Sequence, residues 1–297
     1  VSGPIARYSV DAGTVSGLAA SGGGMGFGMS MMFGGGGGGG RIAHELVLRL
    51  GSSDAPVKGG PKADHFMPSG ARLGKSVPLV TPRETPPDTD LPPDFQKPKG
   101  RLLLFWGCGA HAPKGQPVVI DFAKVAQGQM PPGLFSVAVP RDSRITAGNS
   151  RTYGDWPNGR DRKMLSADSS MLGDHRIAGN YSPEIRFALQ QDFMPALTAR
   201  TTGMSGGPTM VNWNSVQGAT GYYAWVMGMK VDQSSGEARD MVWWSSSASR
   251  EFGGGLWDWL PPATVQKLIG QKVVMPPSQT SCSIPAEVKQ AASDMQM

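Results

Sequence analysis

The sequence predicts a mainly β protein with two β-sandwich-like domains, Gly-rich and Pro-rich irregular segments, and short C-terminal helices. First, 42 glycines and 25 prolines interrupt a chain of 297 residues, and both residue types disfavour long helices. Second, short apolar or alternating runs lie between turn residues, which is typical of strands. Third, eight tryptophans can fill a core, while charged residues make up only 17%, against about a quarter in average proteins. A disordered chain, a coiled coil and repeated βαβ units are therefore not expected.

Residues 1–40 are predicted to be a Gly/Met-rich N-terminal assembly segment. They end in seven consecutive glycines, which allow close backbone approach, and methionine fills irregular gaps in apolar contacts. We therefore expect this segment to pack between subunits, through Met25, Phe27, Met29, Met31, Met32 and Phe33. Thioethers also bind Cu(I), but packing is the preferred interpretation, and we predict no metal and no other cofactor.

Residues 41–98 are predicted to be a short β segment followed by a Pro-rich linker. The run at 41–50 fits either a helix or a strand, and the alternation of His44, Leu46, Leu48 and Leu50 favours a strand. Seven prolines between residues 78 and 98 indicate an extended linker or arm. The acidic run at 88–94 is not interpreted as a calcium site, because two prolines interrupt it.

Residues 99–195 are predicted to form a β-sandwich-like domain with a long polar loop. An apolar strand at 101–109 and a second strand at 117–122 read as a hairpin, and an alternating run at 135–139 predicts a third strand. Residues 141–182 are rich in Gly, Asn, Asp and Ser, so we expect a long polar excursion there.

Residues 196–260 alternate more clearly, with strands expected at 209–213, 222–229 and 241–244. The order Trp213-Asn214-Ser215-Val216-Gln217-Gly218-Ala219-Thr220-Gly221-Tyr222-Tyr223 resembles the fibronectin type III module. The resemblance implies that Trp213, Tyr222 and Tyr223 pack in a sandwich core from two facing sheets, and that the module binds or spaces rather than catalyses. Residues 255–262 depart from that pattern. Residues 261–297 are predicted to hold a helix at 261–269, an edge strand at 272–277 and a helix-forming tail.

The segment Gly203–Pro208 resembles the sequence around the nucleophile of chymotrypsin-like proteases. In that interpretation Ser205 attacks a carbonyl, and the base would be one of His44, His65, His111 and His175, none of which stands in the family's context. We predict a turn instead. Asp174 and His175 are adjacent, so a strand would direct them to opposite faces, and a solvated loop is expected.

Four tryptophans form two close pairs late in the chain. An aromatic surface for glycans or partners is one interpretation, and core plus interface is the preferred one. The residues concerned are Trp243, Trp244, Trp257 and Trp259.

The net charge of +5 is dispersed, so no nucleic-acid partner is predicted, and no apolar run approaches the ~18 residues of a membrane span. Cys108 and Cys282 are predicted to form a disulfide, with two buried free thiols as the alternative. The first residue is valine rather than methionine, from which we expect a removed signal peptide and a secreted, periplasmic or cell-surface protein.

The expected function is a non-enzymatic structural or interaction subunit of a cell-surface or extracellular assembly, either a fibre or a multimeric complex. Its partners would be further copies or other envelope proteins. The alternatives are a secreted monomeric glycan- or protein-binding module and, less favoured, a serine hydrolase acting through Ser205.

Overall fold

A computed structural model describes residues 4–17, 42–55, 58–82, 100–129, 138–140, 144–231, 238–251, 256, 260–292 and 294–296. Within them the protein is mainly β with short helices, which confirms the predicted fold class at that level. The Gly/Met-rich residues expected to drive assembly, Met25, Phe27, Met29, Met31, Met32 and Phe33, lie outside the described residues. So do Trp257, Trp259 and the greater part of the Pro-rich segment.

Two sheets form what we call the first sheet group. Their strands are β1 (Ala6–Ser16), β2 (Ile42–Ser52), β3 (Ala63–Phe66) and β4 (Ser76–Leu79), followed later in the chain by β7 (Thr152–Trp156), β8 (Gly173–Gly179) and β9 (Ile185–Leu189). One sheet has the order β1-β2-β7 and the other β4-β3-β8-β9, all antiparallel. Paired backbone bonds between Val80 and Asp155 join the two sheets.

Side chains from both sheets of the first group share one apolar cluster. Leu46, Leu48 and Leu50 alternate along β2 and are almost fully buried, which confirms the predicted strand over the helical alternative. Trp156 from β7 and Ile177 from β8 join the same cluster. Alternation directs every second residue of each strand inward, so two amphipathic sheets bury one common core.

Two further sheets form the second sheet group. Their strands are β5 (Arg101–Trp106), β6 (Val118–Asp121), β10 (Ala199–Gly203), β11 (Thr209–Trp213), β12 (Trp225–Val231), β13 (Ala238–Ser245), β14 (Ser281–Ile284) and β15 (Asp294–Gln296). The sheet orders are β10-β11-β14 and β15-β12-β13-β5-β6. The pairing of β13 with β5 is parallel; β5 and β6 form the predicted antiparallel hairpin.

Three short helices accompany these strands in the described residues. They are α1 (Phe122–Ala126), α2 (Pro262–Gly270) and α3 (Ala286–Ala291). The predicted helix near 261–269 is confirmed as α2, which begins at a proline, the residue favoured at the first helical position. Leu268 of α2 and Val288 of α3 are fully buried. Val288 joins the core cluster of the second group, whereas Leu268 packs in a smaller apolar cluster with Val265, Val273 and Val274.

Three expectations differ from the structure. Residues 141–182 are not one polar excursion, because β7 and β8 both lie there. Trp156 and Ile177 supply the apolar contacts that hold these otherwise polar strands. Residues 272–277 form a single bridge, Met275 to Tyr222, rather than an edge strand. Residues 99–195, predicted as one domain, contribute strands to both sheet groups. β5 and β6 pair in the second group, whereas β7, β8 and β9 pair in the first.

Candidate functional site

A disulfide joins Cys108 and Cys282, as the sequence predicts, across 174 residues. It connects the loop after β5 to β14. In the same loop, Gly109 N–H donates to the carbonyl oxygen of Ser283 at 2.9 Å, and the carbonyl oxygen of Ala110 accepts the Ala286 N–H at 3.1 Å.

A side chain of α3 also holds this loop. The Glu287 carboxylate accepts the Ala112 N–H at 2.9 Å, and this hydrogen bond is the main cause that lowers the pKa of Glu287. Together these bonds attach the loop to β14 and α3.

A chain of hydrogen bonds crosses the core of the first sheet group; we call Tyr8, His65 and His175 the histidine relay. The Tyr8 hydroxyl lies 2.7 Å from His65 Nδ1, and His65 Nε2 lies 2.9 Å from His175 Nδ1. His175 Nε2 lies 2.7 Å from the carbonyl oxygen of Met171. His65 is 0% exposed and His175 is 2% exposed, so the relay links β1 of one sheet to β3 and β8 of the other inside the core.

The carbonyl oxygen of Met171, at the end of the relay, determines which atom donates and which accepts in each hydrogen bond. A carbonyl oxygen only accepts, so His175 Nε2 carries a hydrogen, and in a neutral imidazole the other nitrogen then accepts. His65 Nε2 therefore donates to His175 Nδ1, which leaves His65 Nδ1 to accept the Tyr8 hydroxyl proton. Every ring nitrogen is satisfied with both imidazoles uncharged. Burial, and secondarily the neighbouring His175, lower the pKa of His65 to about 3; burial raises that of Tyr8 well above its usual range.

One end of the relay reaches a surface pocket of about 520 Å³. His175 lines it beside Phe187, with the two rings stacked at 5.1 Å. The guanidinium of Arg176 lies 3.9 Å from the ring centre of Phe66, and both Arg176 and Arg186 pair with Glu184. These arginines are therefore already neutralised in part. The pair Asp174-His175 is not in a solvated loop as expected: β8 exposes Asp174 and buries His175.

The most exposed continuous segment of the second group is the β10–β11 hairpin. Every residue from Leu197 to Gly207 is exposed, including the apolar side chains of Leu197 and Met204. Met204 N–H donates to the carbonyl of Pro208 at 2.8 Å, and Gly207 N–H to that of Met204 at 3.1 Å. Ser205 therefore lies at the tip of a hairpin, and the predicted turn is confirmed. The four histidines it was weighed with lie elsewhere: three belong to the first sheet group, and His111 bonds to Glu287.

Strand β10 is an edge strand. In its sheet it pairs with β11 alone, and hydrogen bonds alternate sides along an antiparallel strand. Because Met204 bonds to Pro208 across the hairpin, every second residue before it, Thr202 and Arg200, also directs its backbone groups toward β11. Ala199, Thr201 and Gly203 then direct their backbone N–H and C=O groups outward, and among the described residues nothing pairs with them.

The aromatic residues divide between core and partly exposed positions. Trp213 and Tyr222 pack edge to face at 5.6 Å against the second group's core. The Tyr223 hydroxyl donates to the carbonyl of Glu251 at 3.0 Å. Trp244 is 0% exposed, and its Nε1 donates to the carbonyl of Gly107. Trp244 therefore lies in the core, as the preferred interpretation has it, and the alternative of an aromatic surface does not hold at this residue, because neighbours on a strand face opposite ways.

Trp243 lies on the opposite face of β13. It stacks on Trp225 at 5.1 Å with the rings 7° from parallel, and both are half-buried. Of the predicted aromatic set, Trp243 is the member that keeps a partly exposed position within the described residues, and Trp225 was not part of that prediction.

Comparisons with protein-family models, with curated proteins and with solved structures find no match. Within the described ranges no group of three or more His, Cys, Asp or Glu side chains is arranged to hold a metal ion. In the same part of the chain no helix has the length and apolar character needed to cross a membrane.

Sequence reasoning missed the histidine relay, although the signal was present. His65 stands between Ala63 and Met67 at the alternating positions of β3, and His175 stands two residues before Ile177. A histidine at an inward position of a strand needs a buried partner. Only the pairing of β3 with β8 shows that the two histidines are that partner for each other.

Proposed function

We propose that the protein is a non-enzymatic structural or interaction subunit of a cell-surface or extracellular assembly, and that it self-associates through the edge of β10. The observation that carries the proposal is an edge strand that is exposed on both faces and whose outward backbone groups are unpaired within the described residues. Such an edge is a template for adding another strand. The disulfide supports an oxidising compartment, where such bonds persist.

A second copy of this chain fits the edge of β10. A two-fold axis at Thr201 sets Thr201 against its copy and Ala199 against Gly203, which are the residues whose backbone groups point outward. Arg200 then lies opposite Thr202, so no like charges face each other. The result is a symmetric contact of the kind common in homo-oligomers.

The interface is short, so each contact is weak and an assembly needs several. Specific stable interfaces bury at least about 1,000 Å² in total, more than one five-residue strand supplies. We propose that the Gly/Met-rich segment provides a further contact, and that each sheet group is a β-sandwich-like unit, the second resembling a fibronectin type III module.

Sedimentation velocity over a range of protein concentrations tests the β10 interface. Thr201→Pro removes one outward N–H without removing a bond to β11, and proline is tolerated on edge strands. We expect concentration-dependent dimers in the wild type and monomers in Thr201→Pro. Thr201→Val is the matched control, since it keeps the N–H and the strand, and it should still associate. Association unchanged in Thr201→Pro would contradict the β10 interface; a wild type that stays monomeric would contradict the function.

A second arm tests the Gly/Met-rich segment. Deleting residues 22–40 spares β1 and β2, and we expect it to weaken association further. An unchanged association constant would remove this segment from the proposal.

A second candidate function, a monomeric glycan- or protein-binding module, is favoured by the stacked pair Trp225 and Trp243. Flat aromatic surfaces suit sugar rings and partner side chains. Glycan-array binding that Trp243→Ala abolishes, by a protein that stays monomeric, would favour this candidate over the assembly subunit.

A further inference from the structure

We propose that the histidine relay is an acid-sensitive switch that holds the two sheets of the first group together when both imidazoles are neutral and loosens them when the relay takes up protons. The proposal rests on the relay's position, because Tyr8 belongs to one sheet and His65 and His175 to the other. It also rests on the hydrogen bonds, which leave no ring nitrogen with room for an additional proton.

Each protonation breaks or reverses a hydrogen bond in the relay. A proton on His175 Nδ1 would set two N–H groups against each other across the 2.9 Å contact with His65 Nε2. A proton on His65 Nδ1 would oppose the Tyr8 hydroxyl, which would have to turn its own hydrogen away. Either step also places a positive charge in a core where His65 is 0% exposed, and a buried charge without a partner is costly.

The elements packed around the relay supply no negative charge to compensate. Sheet β1-β2-β7 directs leucines and Trp156 inward, and Phe187 of β9 stacks on His175. In the described residues, the titratable side chains that act on Tyr8 are the buried phenol of Tyr181 and, to a smaller extent, the Asp11 carboxylate. Asp11 pairs with Arg49 on the other face of its sheet, and this ion pair offsets its negative charge.

The charged groups near the open end of the relay do not favour protonation either. Beside His175, the pocket is lined by Asp174, Arg176 and Arg186, and Glu184 pairs with both arginines. Asp64 lies next to His65 on β3 and alternates to the opposite face. Without Asp64, the two carboxylates and two arginines at the pocket balance, so this end of the relay offers no net negative charge. His44, the remaining histidine of the group, stacks on Phe193 outside the relay.

Loosening the interface between the two sheets would expose a large apolar surface. Tyr8 and Val10 of β1 and the inward leucines of β2 cover the sheet that contains His65 and His175. Each proton that the loosened state binds in excess changes the opening equilibrium about tenfold per pH unit. Proton uptake by His65 can therefore change the opening equilibrium by up to about tenfold per pH unit.

Native-state hydrogen exchange of the full chain at pH 7.5, 6.0 and 4.5 tests the switch. We expect protection in β1, β3 and β8 to fall by up to about tenfold per pH unit below pH 6.5, after correction for intrinsic exchange, while β11 and β14 stay protected. In His65→Gln, the fall in protection for each pH unit should be about tenfold smaller than in the wild type. His111→Gln is the matched control, because His111 is exposed and belongs to the second group, and it should leave the dependence unchanged.

A measurement on the wild type keeps the proposal testable where a variant does not fold. Long-range proton–nitrogen NMR of the histidine side chains distinguishes the two neutral tautomers and the charged form. We expect His65 to be neutral with hydrogen on Nε2 at pH 6. A charged His65 imidazole at that pH, or equal pH dependence in wild type and His65→Gln, would overturn the switch. Neither result bears on self-association through β10.

Discussion

The core of the first sheet group contains two buried histidines and a tyrosine in one hydrogen-bonded chain, whereas the second group's core is apolar and aromatic and is closed by a disulfide. In both, two sheets share an apolar cluster. The added stabilisation differs in kind: hydrogen bonds between neutral groups in the first, a covalent bond between distant segments in the second. Acid should therefore destabilise mainly the first sheet group, and reducing agents mainly the second.

The largest effect is expected from breaking the disulfide. Replacing Cys108 and Cys282 with alanine releases a loop of 174 residues, and the chain-entropy model assigns about 5 kcal/mol to loops of this order. Hydrogen exchange should show the loss in β11 and β14 and little change in β2 and β3. An equal loss of protection in both sheet groups would contradict the inference that the disulfide stabilises mainly the second group.

The second prediction concerns acid. Because the pKa of His65 is lowered to about 3 in the folded protein and is near 6.5 unfolded, the unfolded state binds more protons between these values. Stability is therefore complete above about pH 6.5 and falls as the pH drops toward 3. At pH 4.5 the loss from His65 is roughly 3 kcal/mol. Urea denaturation at pH 7 and 4.5 measures it, and a stability that does not fall in the wild type would contradict the buried neutral state.

A third prediction compares one close-packed glycine in each group. A Cβ on Gly154 would lie 2.7 Å from the Tyr181 hydroxyl and 3.0 Å from the carbonyl of Leu79. A Cβ on Gly221 would lie 2.6 Å from a methyl group of Val274. Alanine at either position should cost about 1–3 kcal/mol by overpacking. Gly159→Ala is the control, since nothing lies within 4 Å of its Cβ; a loss there as large as at Gly154 would argue against overpacking.

The smallest effect is expected for Glu287→Gln. The amide keeps an oxygen that accepts the Ala112 N–H but loses the charge beside His111, and exposed ion pairs contribute little. We expect a slight fall in Tm at pH 7 that becomes smaller as the pH is lowered toward the carboxylate's lowered pKa, measured by calorimetry over a series of pH values. A fall comparable to that from the missing disulfide would show that this contact, rather than the covalent bond, holds the loop to α3.

Local pattern was enough to predict several elements of this protein. The alternation in residues 42–50 predicted β2, and the run Thr209–Trp213 was predicted with the bounds that the structure has. The hairpin of β5 and β6 and the helix at Pro262–Gly270 followed from apolar runs and proline placement. With two cysteines in the described chain, the partner of Cys108 was also determined by the sequence.

Only the tertiary structure decided which strands became neighbours. β5 lies parallel to β13, more than 130 residues away in the chain, and β7 becomes a strand because Trp156 finds a place beside Leu48. The same long-range pairing brings His65 to His175 across 110 residues. Alternation and turn propensity act within a few residues, whereas the partner of an inward side chain depends on which sheet closes over it. The β structure of single segments could therefore be predicted from the sequence, whereas the histidine relay and the open edge of β10 depend on which strands pair and pack together.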